Sequence, residues 1–405
     1  MSYLRIGTIY YKKVRKPLAT GDLVEFLVPW SPECIKQDHG KHFLSSVPRF
    51  DGFCLVPGHL DYKREIEDFY NRYHPFVHQP AAGHPTKILV FLNHVFGEQL
   101  DIGLDYLKIL LLYPMQTLPI LCLVSSERNT GKTTFLNFVK AIFCDNMTIN
   151  SNEDFRSNFN SEWAHKLIIG VDETFLDRKE DSERIKSLST SKYYKIEAKG
   201  QDRQEIEFFG KFILCSNNED NFIIIDPGEI RYWIRRLPPL QYENTNLLKE
   251  LKSEIAFFIH YLLERSFTTQ RSTRMWFRPD QLATPALKRV KRYNHNKLEV
   301  EMAQMLLLIL DVKEGVEEIC FSLSDIQEWL AKKGLRQDAG TIKNVLQNAW
   351  CLKPAGNSLA YLQYKFGPDG NIHEFNAKGR FYSVDQKRVF QLNNLDDFDA
   401  GSRSC

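Results

Sequence analysis

Three consecutive residues, Gly131, Lys132 and Thr133, carry the chemistry that stands out first in this 405-residue chain. Glycine lets a backbone approach a phosphate closely, lysine can reach β and γ phosphate oxygens, and a threonine hydroxyl can ligate Mg2+. They close the run SSERNTGKTTF, whose candidate phosphate-contacting part is Ser126, Glu127, Arg128, Asn129, Thr130, Gly131, Lys132, Thr133 and Thr134. The phosphate-cradling consensus, G-x-x-x-x-G-K-[ST], wants a glycine where Ser126 stands. By ordinary residue usage a bare G-K-[ST] arises by chance in roughly one chain in five of this length. The tripeptide therefore needs partners.

Partners follow in order. Forty residues after Lys132, the apolar run Leu167 to Val171 delivers Asp172 and Glu173 at its end. Such a pair supplies one acid for the metal's coordination shell and a second, Glu173, to polarise the attacking water. The run KFILCSNNED ends in Ser216, Asn217 and Asn218. An amide at Asn217 can sense the γ-phosphate, although serine and asparagine also favour plain turns. DPGEIRYWIRRLPP then offers Arg231, Arg235 and Arg236, any of which can neutralise charge as a γ-phosphoryl group leaves.

The elements needed to position these groups are legible. LPILCLV before the loop reads as a buried strand, and in TFLNFVKAIFC the residues Phe135, Phe138, Val139, Ile142 and Phe143 mark one helical face. A loop between strand and helix places phosphate on free N–H groups at the positive end of a helix dipole. From about 117 to 265, strands alternate with helices, the pattern of an α/β sheet domain, and residues 86–116 read as two flanking helices. Residues 1–85 mix short strands with one amphipathic helix, YKREIEDFYNRYH. His39 and His42 have no further ligand cluster nearby and read as surface histidines. Residues 266–297 read as a linker, with six Lys or Arg against one Asp from Arg278 to Lys297.

A smaller domain is expected over 298–390 and a polar tail over 391–405. SLSDIQEWLAKKG predicts a helix with Ser324 as N-cap, Gln327 in capping-box position and Gly334 as its stop. AGTIKNVLQNAW turns Ile342, Val345 and Leu346 to one side, and strands follow around a turn at Pro368 to Gly370. Helix, helix, hairpin is the outline of a winged helix. Lys343, Lys365, Lys378 and Arg380 can meet DNA phosphates there, while a protein-interaction role stays equally open.

A hydrophobic content of 43% supports real cores, and a net charge of +2 excludes a polycation that coats nucleic acid non-specifically. Eight scattered cysteines without a C-x-x-C pair read as mostly buried, reduced thiols of a cytosol-like compartment. The start has no apolar signal region, and the one membrane suspect, Leu107 to Val124, is broken by Lys108, Pro114, Gln116 and Pro119. No membrane partner is expected.

The motifs, in this order, resemble the superfamily 3 helicases, most closely the helicase part of phage, plasmid and poxvirus-type primase-helicases, over about residues 117–240. The first glycine of the loop varies in that family, which accommodates Ser126. The resemblance also points to YYKIEAKGQDRQEIEFFGKF, two strands around a turn at Gly200 to Gln204, as a pore hairpin whose Lys195, Lys199 and Arg203 grip DNA. It implies an AAA+-like core, ATP and Mg2+ at subunit interfaces with an arginine finger from the neighbour, and a homo-hexameric ring. That ring would move 3′-to-5′ on single-stranded or forked DNA, alongside a separate primase or polymerase. The stretch ahead of the loop looks too short for a primase domain. Two rivals remain: a DNA-binding initiator or regulator with an ATP-dependent assembly switch, and a duplex-DNA packaging or remodelling ATPase.

Overall fold

Interrupted polar and apolar patterning at the start of the chain builds small, half-covered sheets, whereas the unbroken apolar runs after residue 117 build a parallel sheet covered on both faces. The computed structural model describes residues 2–17, 23–156, 163–176, 178–196, 204–225, 228–295, 297–313, 315–367 and 371–393. It divides into one unit of residues 1–224 with 229–287, and another of 288–405 with 225–228.

The first unit begins with β1 (Tyr3–Ile6), β2 (Ile9–Pro17), β3 (Leu23–Pro29) and β4 (Arg49–Phe50), ordered β3-β2-β1-β4, and helix α1 (Pro32–His39) sends Ile35 into a cluster with Tyr3. A second small sheet joins β5 (Gly52–Cys54), β6 (Glu65–Ile66) and β7 (Phe69–Asn71) in the order β5-β7-β6. The helix expected over YKREIEDFYNRYH is therefore replaced by β6 and β7 around Glu67, which has φ 51°. Asn71 supplies the reason. Fully buried, its amide donates to the carbonyls of Val56 and Lys63 and accepts from the N–H groups of Val56 and Tyr73, giving the backbone partners that a helix would otherwise provide.

Helices α2 (Thr86–Phe96) and α3 (Leu100–Leu112) come next, as expected. They lead into β8 (Ile120–Val124), α4 (Lys132–Phe143), β9 (Met147–Asn150), α5 (Asn152–Arg156), β10 (Ile168–Val171) and α6 (Lys179–Leu188). The hairpin β11 (Tyr193–Ile196) and β12 (Gln204–Glu207) precedes β13 (Lys211–Ser216), β14 (Tyr232–Arg236), α7 (Leu247–Ser253) and α8 (Ile255–Glu264). The central sheet is entirely parallel, in the order β14-β8-β13-β10-β9. Every residue of β8, β10 and β13 is buried. Helix α4 covers the sheet with Phe135, Leu136, Phe138, Val139, Ile142 and Phe143, each burial stabilising by roughly 1.5–3 kcal/mol over exposure. The suspected membrane stretch is the end of α3, a turn and β8, and among the described residues no helix is long and apolar enough to cross a membrane.

The segment after 265 departs from the expected linker. Arg265 pairs with the fully buried Asp105, whose carboxylate also accepts from the N–H and hydroxyl groups of Thr268 and Thr269. Trp276, Phe277 and Leu282 then enter the main core. Burial of aromatic surface decides the matter, and the basic residues follow on α9 (Pro285–His295).

The second unit contains α10 (Lys297–Val312), β15 (Glu318–Phe321), α11 (Leu323–Lys332), α12 (Ala339–Asn344) running into a π turn at Val345–Ala349, the hairpin β16 (Leu359–Phe366) and β17 (Ile372–Gly379), β18 (Tyr382–Asp385) and α13 (Gln386–Asn393). Trp329, Trp350, Ile342 and Leu346 lie in its core. The cap of α11 is Ser322 instead of the expected Ser324: the Ser322 hydroxyl accepts from the Asp325 N–H at 3.3 Å while the Asp325 carboxylate accepts from the Ser322 N–H at 2.8 Å. Gly334 does end the helix, at φ 76°. The turn Pro368 to Gly370 lies outside the described residues. Among the described residues six cysteines, including the buried Cys122 and Cys215, are free thiols.

Candidate nucleotide site

In a parallel sheet the carboxyl ends of all strands point to one edge, and ligands bind in the crevice there. Here β8, β13 and β10 are adjacent, so the loop after β8, the turn after β10 and the turn after β13 share that edge. The phosphate loop is built from two left-handed residues around Thr130: Asn129 at φ 54° and Gly131 at φ 85°. A side chain at Gly131 would be strained at that φ, and its Cβ would stand 3.1 Å from the Phe91 ring. Three braces hold the loop from outside. The Asn129 carbonyl accepts from the Leu240 N–H at 2.9 Å, the Thr130 carbonyl lies 3.0 Å from His94 Nε2 on α2, and the Ser125 N–H donates to the Ser216 carbonyl at 3.1 Å.

Lys132 opens α4 and is 8% exposed. Its ammonium donates to the Ser125 carbonyl and the Thr130 hydroxyl, both at 3.1 Å, so it is folded over the loop on two neutral oxygens. Burial pulls its pKa below the ordinary lysine value, against the opposing pull of Asp172 and Glu219. Thr133, one residue on, donates its hydroxyl to Asp172 Oδ2 at 2.9 Å. Thus the two residues expected at the metal, 39 apart in sequence, are in direct contact.

Glu173 is exposed at the end of β10 with φ 53°, a left-handed conformation that a non-glycine residue adopts at some cost. Asn152 on α5 holds that turn from both sides, donating to the Glu173 carbonyl at 3.0 Å and accepting from the Phe175 N–H at 3.1 Å. Ser216 ties the same turn to β13 by donating to the Thr174 carbonyl at 2.7 Å. At the end of β13 the two asparagines separate. Asn218 Oδ1 accepts from the N–H groups of Asp220 and Asn221, so it is spent on the turn, and Asn217 is left exposed at the site edge.

The three arginines also separate. Arg231 is half-buried and paired with Glu229. Arg235, 8% exposed, turns inward onto Glu98 and Gln99, contacts it would have to give up to act as a finger. Arg236 lies at the loop of its own chain, with Nε 2.9 Å from Glu219 and a terminal nitrogen 4.0 Å from Glu127. Glu127, Arg128 and Asn129 are exposed and Thr134 is half-buried. Lys195 is exposed on β11, opposite Glu205, while Lys199 and Arg203 lie outside the described residues.

Sequence reasoning missed His94, Asn152 and Glu219. Glu219 accepts from both the N–H and the hydroxyl of Ser126, 93 residues earlier. The one hint in the sequence was the serine itself, standing where glycine was wanted.

Chemically, the edge gathers a cation with exchangeable partners, a hydroxyl–carboxylate pair, an exposed acid and an exposed amide. Thr133 and Asp172 are hard oxygen donors that suit Mg2+, which holds few protein ligands and takes the rest of its shell from phosphate and water. Among the described residues no cluster of three His, Cys, Asp or Glu offers an all-protein metal cage.

A family of unknown function, DUF5906, matches residues 123–236, the stretch from the end of β8 through β14. No curated protein matches the chain. Among solved structures, the apo NrS-1 C-terminal region (residues 305–718) is similar with a TM-score of 0.57 at 13% identity, over 94% of this chain and 95% of that one. A second form of the NrS-1 C-terminal region gives 0.56 at 14% identity with the same coverage. A JCV helicase structure matches 62% of this chain at a TM-score of only 0.31. At these identities the likeness to the NrS-1 region is one of fold.

Proposed function

We propose that this chain is an ATP- and Mg2+-dependent DNA helicase of the superfamily 3 type, working in replication as a ring with ATP hydrolysed between subunits. The observation that carries this reading is the Thr133–Asp172 contact of 2.9 Å, with Lys132 beside it and Asn217 just past the end of the intervening strand. A chance G-K-T would have no reason to meet a strand-end acid across a parallel sheet. In the proposed mechanism the Lys132 ammonium leaves the Ser125 carbonyl and Thr130 hydroxyl for β and γ phosphate oxygens, and Thr133 and Asp172 hold Mg2+. Bound Mg2+ would draw charge off those oxygens. Glu173 takes a proton from the attacking water, held in place by Asn152, and Asn217 orients that water against the γ-phosphate. Arg231 is the finger for a neighbouring subunit, which requires it to leave Glu229.

Lys195 on β11, together with Lys199 and Arg203, which fall between β11 and β12 in the sequence, grips single-stranded DNA, and the second unit, whose element order suits a winged helix, binds duplex or partner protein. The fold shared with the NrS-1 region supports the assignment of the whole chain to one architecture. The test is unwinding of a forked DNA by the purified protein with ATP and Mg2+, together with particle images in a non-hydrolysable analogue. Strand separation by a ring supports the proposal. Translocation on duplex without separation would favour a packaging or remodelling ATPase, and turnover indifferent to single strands with tight duplex binding would favour an initiator.

A further inference from the structure

The serine at the first-glycine position has a local explanation. Glu219 follows Asn217 by two residues, and its side chain is 5% exposed. One carboxylate oxygen, Oε1, accepts from the Ser126 N–H at 2.8 Å and from the Ser126 hydroxyl at 3.0 Å. The other, Oε2, faces Arg236 Nε at 2.9 Å. A glycine at 126 would supply the N–H alone. A carboxylate beside a phosphate site is ordinarily a liability, since like charges repel. Here its charge is balanced by Arg236 and its lone pairs are occupied by Ser126.

We infer that Glu219 is a positioning residue for nucleotide binding: it clamps the first residue of the phosphate loop to the turn that carries Asn217, and Ser126 replaces glycine because its hydroxyl completes the clamp. This rests on the nucleotide reading above and deepens it. Three otherwise separate facts join. The loop start, the candidate γ-phosphate sensor and the last residue of β14 become one connected unit, Ser126–Glu219–Arg236, in which any movement of Asn217 toward a phosphate is passed to the loop. Arg236 thereby serves its own chain's site and is not a finger. Burial alone would raise the Glu219 pKa, but the Ser126 N–H and hydroxyl and the Arg236 guanidinium together hold it below the ordinary carboxylate value, so the clamp is charged at neutral pH.

The experiment compares wild type, K132A, S126G, S126T, E219Q and S126G/E219Q by binding of a fluorescent ATP analogue and by steady-state ATP turnover, with melting curves as a check on folding. S126G and E219Q should each raise KM for ATP about tenfold with kcat changed less than about threefold, the loss expected for one charge-assisted hydrogen bond. S126T, which keeps the hydroxyl, should stay near wild type. The double variant should be little worse than E219Q alone, because both changes break one contact. A merely structural role would lower melting temperature without splitting KM from kcat and without rescue by threonine. If wild type binds the analogue, K132A does not, and S126G and E219Q bind like wild type, the clamp is overturned and the nucleotide site stands. Should wild type itself fail to bind, the nucleotide reading falls and the clamp falls with it. Unfolding of E219Q would leave S126G and S126T, on an exposed loop residue, to decide.

Discussion

Two buried lysines stand at opposite ends of the same parallel sheet, and they have almost nothing else in common. Lys132, at the carboxyl edge, is 8% exposed and holds two oxygens of its own flexible-patterned loop, at 3.1 Å each. Lys211 opens β13 at the amino edge, is 4% exposed, and donates to the carbonyls of Pro114 and, at 2.6 Å, Phe209. Both have pKa values lowered by burial, Lys211 to about 7. A shifted lysine is therefore not by itself a sign of a site. What separates them is the neighbourhood: Lys132 has Thr133, Asp172, an exposed Glu173 and left-handed backbone around it, whereas Lys211 is sealed among carbonyls and, among the described residues, has no acid hydrogen-bonded to it. One end of the sheet is arranged to exchange partners, the other to keep them.

The sharpest way to break this contrast is to remove each lysine. K132A should lower kcat/KM for ATP by at least ~100-fold, since two charge-assisted contacts to phosphate are lost. K211M should leave turnover within about twofold of wild type. A K132A enzyme that hydrolyses ATP normally, or a K211M enzyme that does not, would invert the assignment of the two edges. Next in size is E173Q, for which we expect kcat down by ~10²–10⁴-fold with nucleotide still bound, measured by single-turnover hydrolysis and retention of labelled ATP. Rapid turnover would remove Glu173 as the base. A smaller effect is expected of N152A. Losing the amide that holds the Glu173 carbonyl and the Phe175 N–H should lower kcat about fivefold, on the order of 1 kcal/mol, with KM unchanged. Equal falls in kcat for N152A and E173Q would instead place Asn152 in the chemistry.

The contrast also shows what a sequence can reveal. Gly131, Lys132 and Thr133 are contiguous, and the acids of β10 and the amides of β13 each end an apolar run, so local pattern was enough to find them. The α/β alternation and the two helices before it were legible for the same reason. Pairings between distant residues were not. Nothing local tells that Glu219 clamps Ser126, that His94 lies at Thr130, or that Arg235 points to Glu98 while its neighbour Arg236 points to the loop. Strand alternation at 235 and 236 decides the last of these, once the edges of β14 are known. The false helix at 62–74 shows the opposite failure. Its charges and aromatics have helical spacing, yet one buried asparagine, Asn71, satisfies the backbone in a different conformation. Likewise Thr268, Thr269 and Trp276 looked like linker because the acid that orders them, Asp105, lies some 160 residues earlier.

The smallest expected effect concerns stability, and it separates the two lysines on other grounds. An unfolded lysine titrates near 10.4, whereas Lys211 in the fold titrates at about 7 because burial disfavours its charge. Between those values the unfolded chain binds more protons than the folded one, so stability rises with pH across that window and is lost as pH falls toward 7. Below about 7 both states are protonated at this residue and the slope vanishes. K211M removes the group, so the melting temperature of wild type should gain on that of K211M by roughly 5 °C between pH 7 and pH 9. K132M should flatten the curve much less, its lysine being nearer solvent and nearer acids. Parallel wild-type and K211M curves over that range would mean that Lys211 keeps its charge, and that the amino edge of the sheet is wetter than its sealed carbonyls imply.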